Sequence, residues 1–533
     1  MTPWTDRTRL FVTPLSPLHI GCGADFDPTE YVISEGLLYK FDPSNLPLTD
    51  EDRQELNVAV ALGGAKALLR IQNFFHKRRK DCEGHAMLAI PVSKGLESQY
   101  QLRIGQVAQF EPDGNFISRL VIERTAHHPH SGVPYLPGSG LKGSMRTAWL
   151  DRLNKGRTAS PSKRWSELET ELLAGGRFDK DPFRLVTVSD ASGSNIVSRI
   201  VFHTNHRKVP AVGRDGFPRT AQGLAVRREC IAHGQIGALS CEIAIDSLKG
   251  RDDPATPAFE LRLKGWADLA QACNRYYLPR LRKEAEFFRN RGLVDRGWVS
   301  ATMDLLDRLK VQFDSGAAVL LRVGRHSGSE NITLDGVRSI RIRRSKGESE
   351  QSSTGGTTLW LAAETEGDTS DMHPLGWVLL HRELYDPVCH WGSFFKVPDL
   401  SMVHLALRKA RESAREAAEQ RRQKALENAR LEDERKQQLM RQQEKLNAMS
   451  ENGRLVEALR VALSNYNARR PQAVGGELYQ KTRSLIAIAE GGEWLEEDRR
   501  RLGELLRDLV PQKIDLGGRA KEIRQAANRL LGL

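Results

Sequence analysis

Val133-Pro-Tyr-Leu-Pro-Gly-Ser-Gly-Leu-Lys-Gly-Ser-Met-Arg-Thr-Ala148 is the stretch on which the reading of this chain turns. Pro134 and Pro137 mark an extended entry. Gly138, Ser139, Gly140, Leu141, Lys142 and Gly143 read as a glycine-rich loop, and a helical pattern opens at Ser144 and runs through Arg146 to Leu153. Glycines let backbone N–H groups approach an anion with no Cβ in the way. The first turn of a helix adds unpaired donors and a partial positive charge. Lys142 and Arg146 supply full charges. The expectation is a loop and helix start that grip phosphate.

Which phosphate is narrowed by what surrounds the loop. Gly138-Ser-Gly140-Leu-Lys-Gly143 matches the dinucleotide fingerprint literally, but that motif needs a βαβ unit and an acidic residue about 20 positions on. Here Asn154-Lys-Gly-Arg-Thr-Ala-Ser-Pro-Ser-Lys163 follows, polar and basic, and Pro137 interrupts the strand that should feed the first glycine. A nucleotide triphosphate loop requires Lys then Ser or Thr after its last glycine. Lys142 precedes Gly143, so the order fails. A plain turn before a helix explains one or two glycines, not three with two cations.

Working outward, 533 residues suit two to four domains. Lys and Arg number 80 against 68 Asp and Glu, a net charge of +12 that suits a polyanion partner without proving one. Six scattered cysteines with no Cys-x-x-Cys pair argue against a disulfide framework or a structural zinc site. The start of the chain has no apolar signal region, and no apolar stretch nears the ~20 residues of a membrane span, so a reducing cytoplasm is the expected location.

The N-terminal part alternates strands and helices. Residues 9–13 read as a strand, 31–33 and 37–41 as a hairpin, and Thr49 before Asp50-Glu-Asp52 as a helix start. Residues 100–104 and 116–122 have strand character, and so do 184–188, 200–202 and 239–245. Residues 204–228 are polar and basic, a long hairpin or a mobile loop. Residues 257–310 read as largely helical, and strands return at 318–323, 337–342 and 358–362. Beyond about residue 398 the composition shifts to Ala, Glu, Gln, Arg and Lys, predicting a long exposed helix and then a helical module split by paired glycines.

The loop, together with Thr13-Pro-Leu-Ser-Pro-Leu-His-Ile-Gly-Cys-Gly23, Pro28-Thr-Glu-Tyr-Val-Ile33, Leu320-Leu-Arg-Val-Gly-Arg-His-Ser-Gly328 and Thr357-Thr-Leu-Trp-Leu-Ala362, resembles CRISPR-associated RAMP proteins. Within them it resembles the subunit that caps the crRNA 3′ side of the type III-A Csm effector complex. The resemblance spans about residues 10–398. It implies an α+β fold of two ferredoxin-like (RRM-like) lobes, 1–246 and 247–400, followed here by a charged helix or linker at 401–450 and a helical module at 451–533 outside the resemblance. It implies a non-catalytic RNA-binding subunit that aids crRNA maturation and assembly. The implied partners are crRNA, target RNA, other Csm subunits (backbone RAMP and small helical ones) and a recruited host ribonuclease. No cofactor, metal or membrane is implied. Carried over by position, 138–143 becomes the RNA-binding loop, with Ser144 beside it and Lys142 and Arg146 on phosphate. His19, Gly21 and Gly23 match the N-terminal turn, and Arg322 and Arg325 flank a second turn. Gly140 stands where related loops carry a second serine.

Two other classes compete. A metal-independent crRNA-processing endoribonuclease would use His19 as a general acid or base. A backbone RAMP subunit would cut target RNA through a loop aspartate. His127-His-Pro-His130 lacks a carboxylate or cysteine at ligand spacing and reads as a surface turn, and Asp25 and Asp27 read as solvated acids. Aromatic residues are 7% of the chain, with no base-stacking motif evident, so phosphate contacts are expected to dominate.

Overall fold

The computed structural model describes residues 5–105, 109–110, 116–117, 120–158, 165–173, 181–212, 218–246, 263–342, 351–353, 355–467 and 470–533. The chain forms two compact units, 1–413 and 414–533.

The first unit is mixed α+β and is built on two five-stranded sheets. The strands of these two sheets are β1 (Thr5–Pro14), β2 (Gly21–Phe26), β3 (Ile122–Thr125), β4 (Val186–Val188), β5 (Ser198–Val212), β6 (Pro218–Ile231), β7 (Leu239–Asp246), β8 (Ala318–Arg322), β9 (Thr358–Ala363) and β10 (Trp377–His381). One sheet runs β8-β10-β1-β7-β4, the other β9-β5-β6-β3-β2. β1 pairs with β7 on one side and β10 on the other, both antiparallel, and β5 pairs with β9. Each sheet therefore joins strands from both sides of residue 246. The boundary expected at 246/247 does not divide the sheets, because the register of β1 with β10 ties the two ends of the unit together.

Two helices flank the first sheet. α1 (Gly138–Asn154) lies between β3 and β4 in the chain, and α2 (Trp266–Arg291) between β7 and β8. Leu141, Met145, Ala148 and Trp149 recur at helical spacing and are buried in the same core as Leu10, Val12, Ile243, Leu269 and Tyr277. Each large apolar side chain so buried contributes roughly 1.5–3 kcal/mol. Of the polar stretch 204–228, residues 204–212 and 218–228 lie in β5 and β6, which pair antiparallel with register shifts near His206, and 213–217 are outside the described residues. Glu35 and Gly36, at φ 50° and 76°, turn the expected hairpin of Tyr31–Ser34 and Leu37–Lys40. Thr49 and Asp52 form a reciprocal capping box on helix Asp50–Ala61.

One expected strand is a helix. Residues 100–103 lie in Lys94–Arg103, which Ser93 caps by accepting from the Leu96 N–H at 3.3 Å. Leu96 and Tyr100, four apart, are its buried face, so helical spacing overrides the local strand propensity.

α3 (Ser401–Ala448) begins in the first unit, where Leu407 packs on Ala86 and Ala89. The second unit holds the rest of this helix and α4 (Glu451–Ser464), α5 (Glu477–Gly491), α6 (Glu496–Asp508) and α7 (Ala520–Leu531). Leu459, Leu463, Leu485, Leu502, Leu506, Ile523 and Ala527 make a core of their own. Ser450 caps α4 and donates its hydroxyl to the buried carboxylate of Asp498. Among the described residues no helix is long and apolar enough to cross a membrane.

Candidate nucleic-acid interface

The glycine-rich segment is not a loop. α1 begins at Gly138, with Pro137 at the cap, and Gly138, Gly140 and Gly143 are absent from the positive-φ glycines. They serve approach, not turning. A Cβ on Gly138 would stand 2.3 Å from the Val188 carbonyl oxygen, so this glycine lets α1 dock on the end of β4. A Cβ on Gly140 or Gly143 would meet nothing within 4 Å. Ser139 and Gly143 are exposed and Gly140 half-buried, while Leu141 is fully buried. The helix thus shows bare backbone on its outer side and anchors through Leu141 and Met145.

The helix end itself is already occupied. The Gly138 N–H donates to Asp190 Oδ1 at 2.7 Å, and the Gly140 N–H bonds the Pro137 carbonyl. A carboxylate of the protein sits where phosphate was expected. What remains open is the flank of the helix, not its tip.

The expected cations divide. Arg146 is bound by Glu169 at 2.5 Å and Asp181 at 2.7 Å, so its charge is spent within the fold. Arg322 is buried, pairs with Glu284 at 2.8 Å, donates to the Leu375 carbonyl and lies over the Trp377 ring. Neither is placed to neutralise phosphate. Lys142 is half-buried and makes no ion pair among the described residues. Arg325 is exposed and touches Glu123 at 3.3 Å. Ser144 donates its hydroxyl to the Arg322 carbonyl at 2.8 Å, joining α1 to the end of β8.

The two expected turns meet. The Arg325 N–H donates to the His19 carbonyl at 2.9 Å, and Gly324, at φ 83°, leaves no room for a Cβ against that same carbonyl, which would be 2.5 Å away. Gly21 and Gly23 are exposed beside them, Gly23 at φ 76°. His19 itself is buried. Its Nδ1–H donates to the Glu229 carbonyl at 2.8 Å, and burial pulls its pKa down to about 4. His19 is a candidate RNA contact by its place in the N-terminal turn, but its ring is turned into the fold and held there by the Glu229 carbonyl.

Beneath these turns lies a cluster that no motif announced. Arg228 forks onto Glu123 at 2.8 and 2.9 Å. Its Nη1 also donates to His326 Nε2 at 2.6 Å and to His203 Nδ1 at 3.3 Å. A guanidinium only donates, so both ring nitrogens accept and both imidazoles are neutral. The His203 Nε2–H then points to the Cys230 sulfur at 3.1 Å. Burial, with Arg228 adding to it, holds His326 at about 3 and His203 well below the usual histidine value. His326 stacks on Trp360 at 4.3 Å and 18°. It sits at φ 66°, a left-handed conformation costing a non-glycine residue about 1–2 kcal/mol. The turn 324–328 and Trp360 were visible in the sequence, but their partners Arg228, Glu123 and His203 lie about 100 or more residues away and no local spacing links them.

The remaining candidates are ordinary. His127 binds Arg124 at 2.8 Å and the Thr125 carbonyl, and His128 stacks on Tyr135. Asp27 caps its own turn through the Thr29 N–H and hydroxyl. Among the described residues no group of three or more His, Cys, Asp or Glu is arranged to hold a metal.

Residues 11–253, a little under half of the chain, match the model of the RAMP superfamily. The matched stretch contains the α1 glycines, His19, Glu123, His203 and Arg228. Two solved structures are similar. One is a chain of a Csm–crRNA–target RNA ternary complex from a type III-A CRISPR-Cas system, 17% identical, covering 71% of this chain and all of that one, with a TM-score of 0.43. The other is Csm5 of T. onnurineus, 16% identical, covering 70% of this chain and 99% of that one, with a TM-score of 0.36. Among curated proteins none matches.

Proposed function

We propose that this protein is a non-catalytic RNA-binding subunit of a type III-A CRISPR effector complex, seated at the crRNA 3′ side with backbone RAMP and small helical subunits as neighbours. One observation carries the reading. The outer flank of α1 is bare backbone at half-buried Gly140 and exposed Gly143, where a Cβ would meet nothing within 4 Å, and Lys142 lies between them in the chain. A ribose-phosphate strand can lie closer to such a helix than to one clothed in side chains. The RAMP match over 11–253 includes this helix. The order β8-β10-β1-β7-β4, with α1 and α2 as its crossovers, supports reading the first sheet as a ferredoxin-like lobe with β10 inserted between β8 and β1.

The burial of His19 and the neutral, internally bonded states of His203 and His326 favour a binding role over acid–base chemistry. The α3 helix and the second unit are proposed as contact surfaces for other subunits or for a recruited ribonuclease, and the chain is proposed to work in the cytoplasm.

The test is to purify the tagged protein from its host and sequence the RNA that accompanies it. Repeat-derived guide RNA together with other RAMP subunits is expected. An RNA population without guide sequences would overturn the reading. Incubation with precursor RNA in EDTA checks the catalytic part: a discrete cut by the pure protein would make it an endoribonuclease instead.

A further inference from the structure

The sequence offers no base-stacking motif, yet the fold assembles an aromatic wall from distant segments. A cavity of about 620 Å³ opens between the turn 324–328 and β9. Trp360 and His326, stacked on each other, both line it. Around them stand Lys208, Ser329, Glu330 and Thr358. Lys208 pairs with Glu330, and the Gly356 N–H donates to the same carboxylate at 2.8 Å, so the polar rim is held in place before any ligand arrives.

His326 is oriented as a hydrogen-bond donor. Its Nε2 accepts from Arg228, so its proton is on Nδ1, and Nδ1 makes no hydrogen bond among the described residues. The ring is fixed from three sides: by Arg228, by the Trp360 stack and by a left-handed backbone. A strained backbone that holds a half-buried ring against a cavity with its donor unused points to a ligand. The cavity also adjoins the RNA-facing elements, since Arg322 and Gly324 line it, the Arg322 carbonyl accepts from Ser144 of α1, and the Arg325 N–H bonds His19.

We propose that this cavity takes one unstacked base of the bound RNA, packed against the Trp360–His326 pair, with the His326 Nδ1–H donating to a ring nitrogen or carbonyl of the base. The inference rests on the RNA-binding reading above and names where a base, not a phosphate, is held. Single-stranded RNA is commonly gripped in this way, by splaying a base onto an aromatic or histidine ring. Lys208 and Arg322 are both tied to carboxylates, so the site selects for a flat, uncharged group.

The full-length protein and a short single-stranded RNA of mixed sequence test it. W360A is expected to weaken binding roughly tenfold, and W360F to restore most of the loss. H326A is expected to weaken binding less, with the thermal midpoint of each variant checked first. Because a base contact releases no counterions, the factor lost in W360A is the same at low and at moderate salt, unlike the loss in K142E. RNA carrying 4-thiouridine should crosslink to the peptide around Trp360 or to the one around His326. Wild-type binding that W360A and H326A leave unchanged overturns the base pocket and leaves the RNA-binding reading standing. A wild-type protein that binds no RNA overturns both. Equal competition by a free mononucleotide overturns the assignment to an RNA strand.

Discussion

Arg228 and Glu123 are register partners where β6 and β3 run parallel, and the guanidinium of one forks onto the carboxylate of the other at 2.8 and 2.9 Å. The pair lets a charged group sit inside the sheet, and its guanidinium fixes two neighbouring imidazoles as acceptors. His203 and His326 both accept from Arg228, and His19 lies 3.9 Å from Glu123. A proton on either accepting ring would break its hydrogen bond and place a second cation beside Arg228.

Stability should therefore fall in acid. The unfolded histidines take up protons near pH 6.5, whereas folded His19 resists to about 4 and folded His326 to about 3. The folded values are lowered, so the unfolded chain binds more protons below about pH 6.5 and stability is lost progressively as the pH drops toward 4. Above pH 6.5 these groups contribute no slope. Glu229, whose buried carboxyl is pushed up, acts in the opposite sense near the carboxylate range. Comparison of the wild type with H326N isolates the histidine. The thermal midpoint of H326N should fall less steeply between pH 7 and 5, and parallel curves would refute the neutral assignment.

The three glycines of α1 should separate by role. A methyl group at Gly138 meets the Val188 and Ser189 carbonyl oxygens at 2.3 and 2.7 Å, and backbone cannot swing aside. Gly138→Ala is expected to cost about 1–3 kcal/mol in denaturant unfolding. Gly140→Ala and Gly143→Ala meet nothing within 4 Å and should gain about 0.5–1 kcal/mol from helix propensity. The same two changes should weaken RNA binding, because the methyl groups stand on the open flank. A G140A/G143A variant that is more stable and binds RNA unchanged would remove that flank from the interface.

These contrasts mark what the sequence can disclose. The tight hairpin at 31–41, the strand at 239–245 and the terminal helices are legible because period and turn chemistry are local. The junction at Gly138 was read as a loop because three glycines resemble a turn when the contact that requires the first of them, with Val188, lies 50 residues on. Arg146 was read as a phosphate ligand because Glu169 and Asp181 carry no spacing that announces them as its partners. Arg322 reads as an RNA-binding residue beside the second turn for the same reason, its partner Glu284 lying on α2. The Arg228 cluster escaped altogether, since a parallel β6–β3 pairing is a long-range event with no local signature.

Lys142 and Arg146 should behave differently despite their spacing. Lys142→Glu is expected to lower RNA affinity and to reduce the salt slope of binding by about one unit, with the melting curve unchanged. Arg146→Glu places a third carboxylate between Glu169 and Asp181. It is expected to lower the thermal midpoint first and to affect RNA only through the loosened helix. Equal loss of salt slope in both variants would return Arg146 to the interface.

The boundary between the two units can be read from where α3 stops packing. Leu407 is 6% exposed and lies on Ala86 and Ala89, while the helix beyond Ser413 is outside the first unit. A chain ending at residue 413 should fold, melt cooperatively and keep its RNA affinity, because the sheets, α1 and the Arg228 cluster all lie within it. A chain ending at residue 400 uncovers Ala86 and Ala89 and loses Leu407, so it should melt lower by an amount matching one buried leucine, about 2–3 kcal/mol. Residues 414–533 carry their own core around Leu463, Leu502 and Leu506 and should give a helical circular dichroism spectrum with its own melting transition. If the 1–413 chain fails to fold while the full chain is stable, the first unit depends on the second and the division at Ser413 is wrong.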